Sequence, residues 1–209
     1  MATKFYHVRN AQFRNCRSSF TWAMGYGPLE EDMPFLLPGQ LEIKLRFWKA
    51  NPRKPGLYGE NGSKWPDFLG HGGGMPSFFV SERVVNSLKA SGIEIARLTH
   101  MPIASIKSRN KRLKEQTPPR YFVLEAPYAI EMDYEASGVP IDAGGIPIAR
   151  LPDSPNWTLR LASWRGADLM CYPNMWKRPT FTLICTERVV QLAEREGWTN
   201  CYFEPINAA

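Results

Sequence analysis

Gly70-His71-Gly72-Gly73-Gly74 is the stretch that comes nearest to catalytic chemistry. A histidine among glycines invites comparison with the loops whose backbone N–H groups stabilise an oxyanion. That chemistry needs a nucleophilic serine on a downstream G-x-S-x-G elbow, and this sequence has none. Gly59-Glu60-Asn61-Gly62-Ser63-Lys64 fails as a phosphate loop, because no glycine directly precedes the lysine. His7, His71 and His100 stand far apart with no i, i+4 pair, so they make no argument for a metal. Cys16, Cys171, Cys185 and Cys201 include no C-x-x-C pair, which fits neither a zinc ribbon nor a secreted disulfide framework. Cys185 and Cys201 fall in apolar runs, the setting of buried reduced thiols. With no converging nucleophile, base or ligand set, neither an enzyme nor a cofactor is expected.

Binding chemistry is better represented. Lys107, Arg109, Lys111, Arg112, Lys114 and Arg120 are accompanied only by Glu115. Such a stretch is either a phosphate-binding arm or a solvated hairpin tip. No aromatics are interleaved to stack on bases, so a nucleic-acid partner is the less favoured reading. Glu125, Glu131, Asp133 and Glu135 then make the next stretch acidic, and the net charge of +6 is unevenly placed. Trp164, Arg165 and Trp176 cluster around turns and are residue types frequent at binding hot spots. From Ala50 to Pro76 the chain is rich in glycine and proline and reads as one long loop, anchored by Trp65 and Phe68.

The elements that must position these residues include a unit that occurs twice. Phe79-Val80-Ser81-Glu82-Arg83-Val84-Val85 and Ile184-Cys185-Thr186-Glu187-Arg188-Val189-Val190 share an apolar run, a hydroxyl and Glu-Arg-Val-Val. Each copy reaches a glycine, Gly92 or Gly197, at the same distance. Ser81 and Thr186 are good helix N-caps, and Glu82 and Glu187 suit the positive end of the helix dipole. The glycines suit the left-handed position that stops a helix. Val84, Val85 and Leu88 share one face of the first helix, as do Val189, Leu192 and Ala193 of the second. Ile93-Glu94-Ile95 and Cys201-Tyr202-Phe203 then read as strands, so each unit is strand, helix, strand. Arg83 and Arg188 fall in the first turn, where positive charge is disfavoured. Something other than helix stability is expected to hold them, a carboxylate of the other half or of a partner.

This repeated [ST]-E-R-V-V unit resembles the polymorphic-toxin immunity family numbered eleven, once catalogued as a domain of unknown function. That family has a tyrosine-rich strand and an acidic hairpin between the copies. Arg120-Tyr121-Phe122-Val123-Leu124, followed by Ile130-Glu131-Met132-Asp133 and Ser137, is similar to it. Asp168-Leu169-Met170-Cys171-Tyr172-Pro173 stands where the family has an apolar-aromatic segment. The resemblance runs from about Trp65 to Ile206, with Glu125 where the family's strand often ends in asparagine. It implies a protein that neutralises a cognate toxin domain by stoichiometric occlusion. The residues expected to meet that partner are Trp65, Arg83, Lys111, Arg112, Glu131, Asp133, Trp164, Arg165, Trp176 and Arg188.

Length and composition agree with a globular chain: 209 residues, 44% hydrophobic and 22% charged. No run approaches the roughly 18 apolar residues of a membrane span, and residues 1–7 lack a signal-peptide core. A cytoplasmic protein without membrane contact or small-molecule substrate is expected. Leu41, Ile43, Leu45 and Phe47 alternate with polar residues and Trp48, the pattern of a half-buried strand, and so do Trp157, Leu159 and Leu161. Lys4–Arg9 reads as a charged edge strand. The fold class is α+β, with a mostly antiparallel sheet and two short helices. One domain of two related halves, about 1–119 and 120–209, is expected.

Overall fold

Short apolar runs dominate the chain, and each is too short to bury itself and must pack on a neighbour. The structure, a computed structural model, describes residues 3–10, 22–24, 34–37, 40–44, 57–60, 64–72, 79–101, 103–106, 111–143, 156–173 and 181–209. The strands before the first helix are β1 (Phe5–Asn10), β2 (Trp22–Met24), β3 (Pro34–Leu37), β4 (Gln40–Lys44), β5 (Leu57–Glu60), β6 (Phe68–Gly72) and β7 (Phe79–Ser81). Helix α1 (Glu82–Ala90) leads to β8 (Arg97–Met101) and β9 (Ile103–Ile106), and α2 (Lys111–Glu115) to β10 (Tyr121–Glu125) and β11 (Tyr128–Ala129). Then follow β12 (Thr158–Leu159), a 3-10 turn at Leu161–Ser163, β13 (Leu169–Pro173), β14 (Phe181–Thr186), α3 (Glu187–Glu196) and β15 (Cys201–Ala208). The fold is α+β. Most strand pairs are antiparallel, and there are three helices rather than two among the described residues.

One six-stranded sheet runs β11-β13-β14-β1-β15-β12, and a seven-stranded sheet runs β8-β10-β7-β6-β2-β5-β9. β7 and β8 both lie antiparallel to β10, and β14 and β15 both lie antiparallel to β1. Each repeated unit is therefore wrapped around a strand supplied from elsewhere in the chain. The order β8-β10-β7-β6 matches β15-β1-β14-β13 strand for strand. Tyr121 faces Ser81 and Met101, as Phe5 faces Thr186 and Ile206.

β10 completes the first unit and β1 the second. Three expectations change at this point. β1 is central rather than an edge. Its polar positions are accommodated there: Arg9 pairs with Glu204 of β15 at 3.0 Å, and buried His7 stacks on Trp157 with ring centroids 5.0 Å apart. The stretch from Ala50 to Pro76 holds β5 and β6 and is not one loop. Of the alternating run from Leu41, β4 ends at Lys44 and the remainder lies outside the described residues. Leu161 belongs to the 3-10 turn rather than to a strand.

The helix stops are as the glycines require. Gly92 and Gly197 have φ of 67° and 62°. Ile93 N–H donates to Leu88 O and Trp198 N–H to Ala193 O, both at 3.0 Å, closing the same terminal hydrogen bond in each copy. Because Ile93 is spent on that stop, the strand after α1 begins only at Arg97. A Cβ on Gly197 would meet nothing within 4 Å. Gly197→Ala is thus expected to lower unfolding free energy by about 1 kcal/mol through backbone strain alone, measurable by urea denaturation.

The apolar stripes of α1 (Val84, Val85, Leu88) and α3 (Val189, Leu192, Ala193) share one core with Val8, Val80, Leu124, Leu183 and Cys185. A second core lies on the opposite face of the six-stranded sheet, where Phe5, Met170 and Ile184 meet Ile130, Trp157 and Leu159.

Candidate functional site

The polar residues of the repeated motif converge on two aspartates. Asp67, just before β6, is buried and accepts hydrogen bonds from Ser81 Oγ at 2.8 Å and Arg83 Nε at 3.0 Å. Arg83 Nη2 also donates to it, as do Thr199 N and Thr199 Oγ1, both at 2.9 Å. Burial alone would raise the pKa of Asp67, but the hydrogen bonds from Arg83, Ser81 and Thr199 outweigh it and hold the carboxyl below its ordinary value. Asp168, just before β13, repeats the arrangement: Thr186 Oγ1 and Arg188 Nη1 each donate to it at 2.6 Å.

The arginines also tie the units together. Arg83 Nη1 donates to Glu196 O at 2.6 Å and its Nη2 to Gly197 O at 3.1 Å, at the end of α3. Arg188 Nη2 reaches Ser91 O at the end of α1. Each arginine therefore neutralises an aspartate of its own unit and caps the negative end of the other unit's helix. This is why a cation is held in a first turn. Glu82 pairs with Arg120 and Glu187 with Lys4, both at 2.8 Å, repeating the symmetry once more.

The copies differ in two respects. Both hydroxyls donate to their aspartate, but only Ser81 also accepts from a backbone N–H, that of Val84 at 3.5 Å, as an N-cap; Thr186 makes no side-chain cap. The cap expected at Thr186 is therefore absent, although its hydroxyl keeps the contact with the aspartate. In addition, the fourth and fifth hydrogen bonds of Asp67 come from Thr199, in the turn after α3. Glu94 stands at the matching place after α1 and is exposed.

Asp67, Asp168 and Thr199 were missed from the sequence. The signal was an aspartate leading an apolar strand, Asp67-Phe68-Leu69 and Asp168-Leu169-Met170, but unequal hairpin lengths hide it from a fixed-offset comparison.

The other residues expected to bind a partner fall into separate groups. Lys111 and Arg112 are exposed on α2, which buries Leu113. Trp65 is half-buried against Tyr121, with ring centroids 6.2 Å apart, and Tyr121 OH donates to Pro66 O at 2.6 Å. Glu131 pairs with Arg160 at 3.1 Å, and its backbone N–H donates to Ser163 Oγ at 2.9 Å. Asp133 Oδ1 accepts from Ala136 N–H at 2.9 Å, so it shapes its own turn. Trp164 Nε1 donates to Ala167 O at 2.9 Å, and its ring meets Phe5 edge-on at 5.3 Å. Arg165 is exposed, its guanidinium over the Tyr128 ring at 5.8 Å. Glu131, Trp164 and Arg165 thus come together around the Leu161–Ser163 turn. Trp176 lies outside the described residues, as do Lys107 and Arg109.

Reactive chemistry finds no support in the thiols. Burial pushes the Cys171 thiol up to about 11 and the Cys201 thiol up to about 12, and also raises Cys185 well above its ordinary value. Among the described residues no three His, Cys, Asp or Glu side chains are grouped to hold a metal ion, and no helix is long and apolar enough to cross a membrane. No protein-family model matches the chain, and no curated protein matches it significantly. The resemblance to the immunity family therefore rests on the motif residues themselves.

Proposed function

We propose that this chain is an immunity protein that binds a cognate bacterial toxin domain in the cytoplasm and neutralises it by stoichiometric occlusion. The observation that carries the reading is the repeated [ST]-E-R-V-V unit, the feature that resembles the immunity family. Both copies have the same internal wiring, with hydroxyl and arginine on one aspartate. The motif thus acts as scaffold, and the partner-facing residues are sought among the exposed side chains of α2 and the Leu161–Ser163 turn.

Co-expression with the toxin domain encoded beside it is expected to yield a complex that survives gel filtration at equal stoichiometry. Protection by a catalytic, sub-stoichiometric amount would instead indicate an enzyme that reverses the toxin's modification. The exposed cations of α2 bear on the encounter: Lys111→Glu with Arg112→Glu is expected to slow association with an acidic partner about 10-fold at low salt, while Glu131→Lys with Asp133→Lys does not slow it. A second reading, nucleic-acid binding through the basic stretch 107–120, rests on the exposed Lys111, Arg112 and Lys114. It predicts steeply salt-dependent retention of a duplex without any toxin.

A further inference from the structure

The turn between β12 and β13 is braced by hydrogen bonds to two other segments of the chain. Leu161 N–H donates to Ala209 O at 2.8 Å, and Trp164 N–H to Leu161 O at 2.9 Å. Ser163 Oγ donates to Arg160 O at 2.7 Å while accepting from Glu131 N–H at 2.9 Å. Trp164 is fixed by its hydrogen bond to Ala167 O and by the edge of Phe5. On this rigid platform Leu161 is 41% exposed, and the fold gains little by presenting a leucine to water.

Arg165 is the second unusual feature. Seven described arginines are paired with carboxylates: Arg9, Arg83, Arg97, Arg120, Arg160, Arg188 and Arg195. Arg165 has no carboxylate partner among the described residues and lies over Tyr128 instead. The ring holds the guanidinium in place without neutralising it. The nearby Arg160 is already matched by Glu131, so the positive charge left over on this turn belongs to Arg165.

A rigid turn that offers one apolar side chain beside one oriented cation has already met the ordering cost of binding. Arginine and tyrosine are also the residue types enriched at the energetic centre of interfaces. The geometry points to the Leu161–Arg165 turn, with Tyr128 beneath it, as the seat of the toxin domain. That domain would present an Asp or Glu carboxylate to Arg165, next to an apolar cleft that takes Leu161. A nucleic-acid backbone would satisfy the guanidinium but leave the leucine without a purpose. This inference rests on the immunity reading and assigns its binding surface.

The test measures the affinity of the full chain for the toxin domain encoded beside it, by calorimetry. Arg165→Glu and Leu161→Asp are each expected to weaken binding at least 30-fold, the scale of a hot-spot residue. Arg165→Lys should fall between them and the parent, because an ammonium lacks the bidentate geometry. Arg195→Glu, the same charge change on α3, should stay within about 3-fold of the parent. All three side chains are exposed, so melting temperatures report that the variants fold. Parent-like affinity in Arg165→Glu and Leu161→Asp would overturn the assignment while leaving the immunity reading intact. Failure of the unaltered chain to bind the toxin domain would overturn both. Retention of a nucleic-acid duplex that Arg165→Glu abolishes would replace the protein partner with a phosphate one.

Discussion

Asp67→Ala is expected to lower the unfolding free energy by about 3–5 kcal/mol, the range for removing one member of a buried ion pair. Asp67 is buried and accepts from Ser81, Arg83 and Thr199, so its loss leaves several donors without a partner and frees the arginine that caps α3. The half-exposed Arg83 can recover some hydration, which favours the lower end of the range. Asp168→Ala should cost only about 1–3 kcal/mol, as expected for charge-assisted hydrogen bonds at a less buried carboxylate with fewer donors. Urea denaturation of the two variants measures the difference directly. Asp67→Asn, which keeps the volume, separates charge from shape. Equal losses at the two aspartates would mean that the Thr199 contacts contribute nothing.

Acidification is expected to destabilise the protein well before its ordinary carboxylates titrate. Burial, reinforced by Arg9 and opposed by Glu204, pushes the pKa of His7 from 6.5 down to about 3. Between those values the unfolded chain binds the proton and the folded chain does not, so stability falls as pH drops through that window. The loss is about 2 kcal/mol from pH 7 to pH 5. Asp67 acts in the same direction but lower: its folded pKa is depressed, so its contribution is lost only as pH falls through and below the carboxylate range. Glu125 opposes them weakly, since burial raises its pKa against the pull of Arg97. Unfolding measured at the two pH values should show the drop in the parent. In His7→Phe, which retains a ring against Trp157, the drop should largely vanish, whatever the variant's own stability. A parent protein equally stable at pH 7 and pH 5 would sink this account of His7.

The two helices and their stops were legible in the amino-acid sequence because they depend on neighbours three or four positions away. Val84, Val85 and Leu88 form a stripe at helical spacing, and Gly92 and Gly197 take the left-handed conformation wherever the rest of the chain goes. The repeat was legible for the same reason, and so was the strand before each helix. The tertiary structure alone decided which strands lie side by side. Alternation in β1 reports that its faces differ, not that β14 and β15 flank it, and its charged residues read as an edge until Glu204 supplied a partner. The role of Arg83 and Arg188 was likewise undecidable locally. The aspartates they pair with precede other strands, and the carbonyls that the two arginines cap belong to the opposite unit. The solitary charge of Arg165 and the exposure of Leu161 follow the same rule: they depend on which groups, distant in the chain, come near or stay away. Local spacing fixes a residue's conformation and face. Only closure of the whole chain fixes its partners, because pairing energy depends on distance in space and not in sequence.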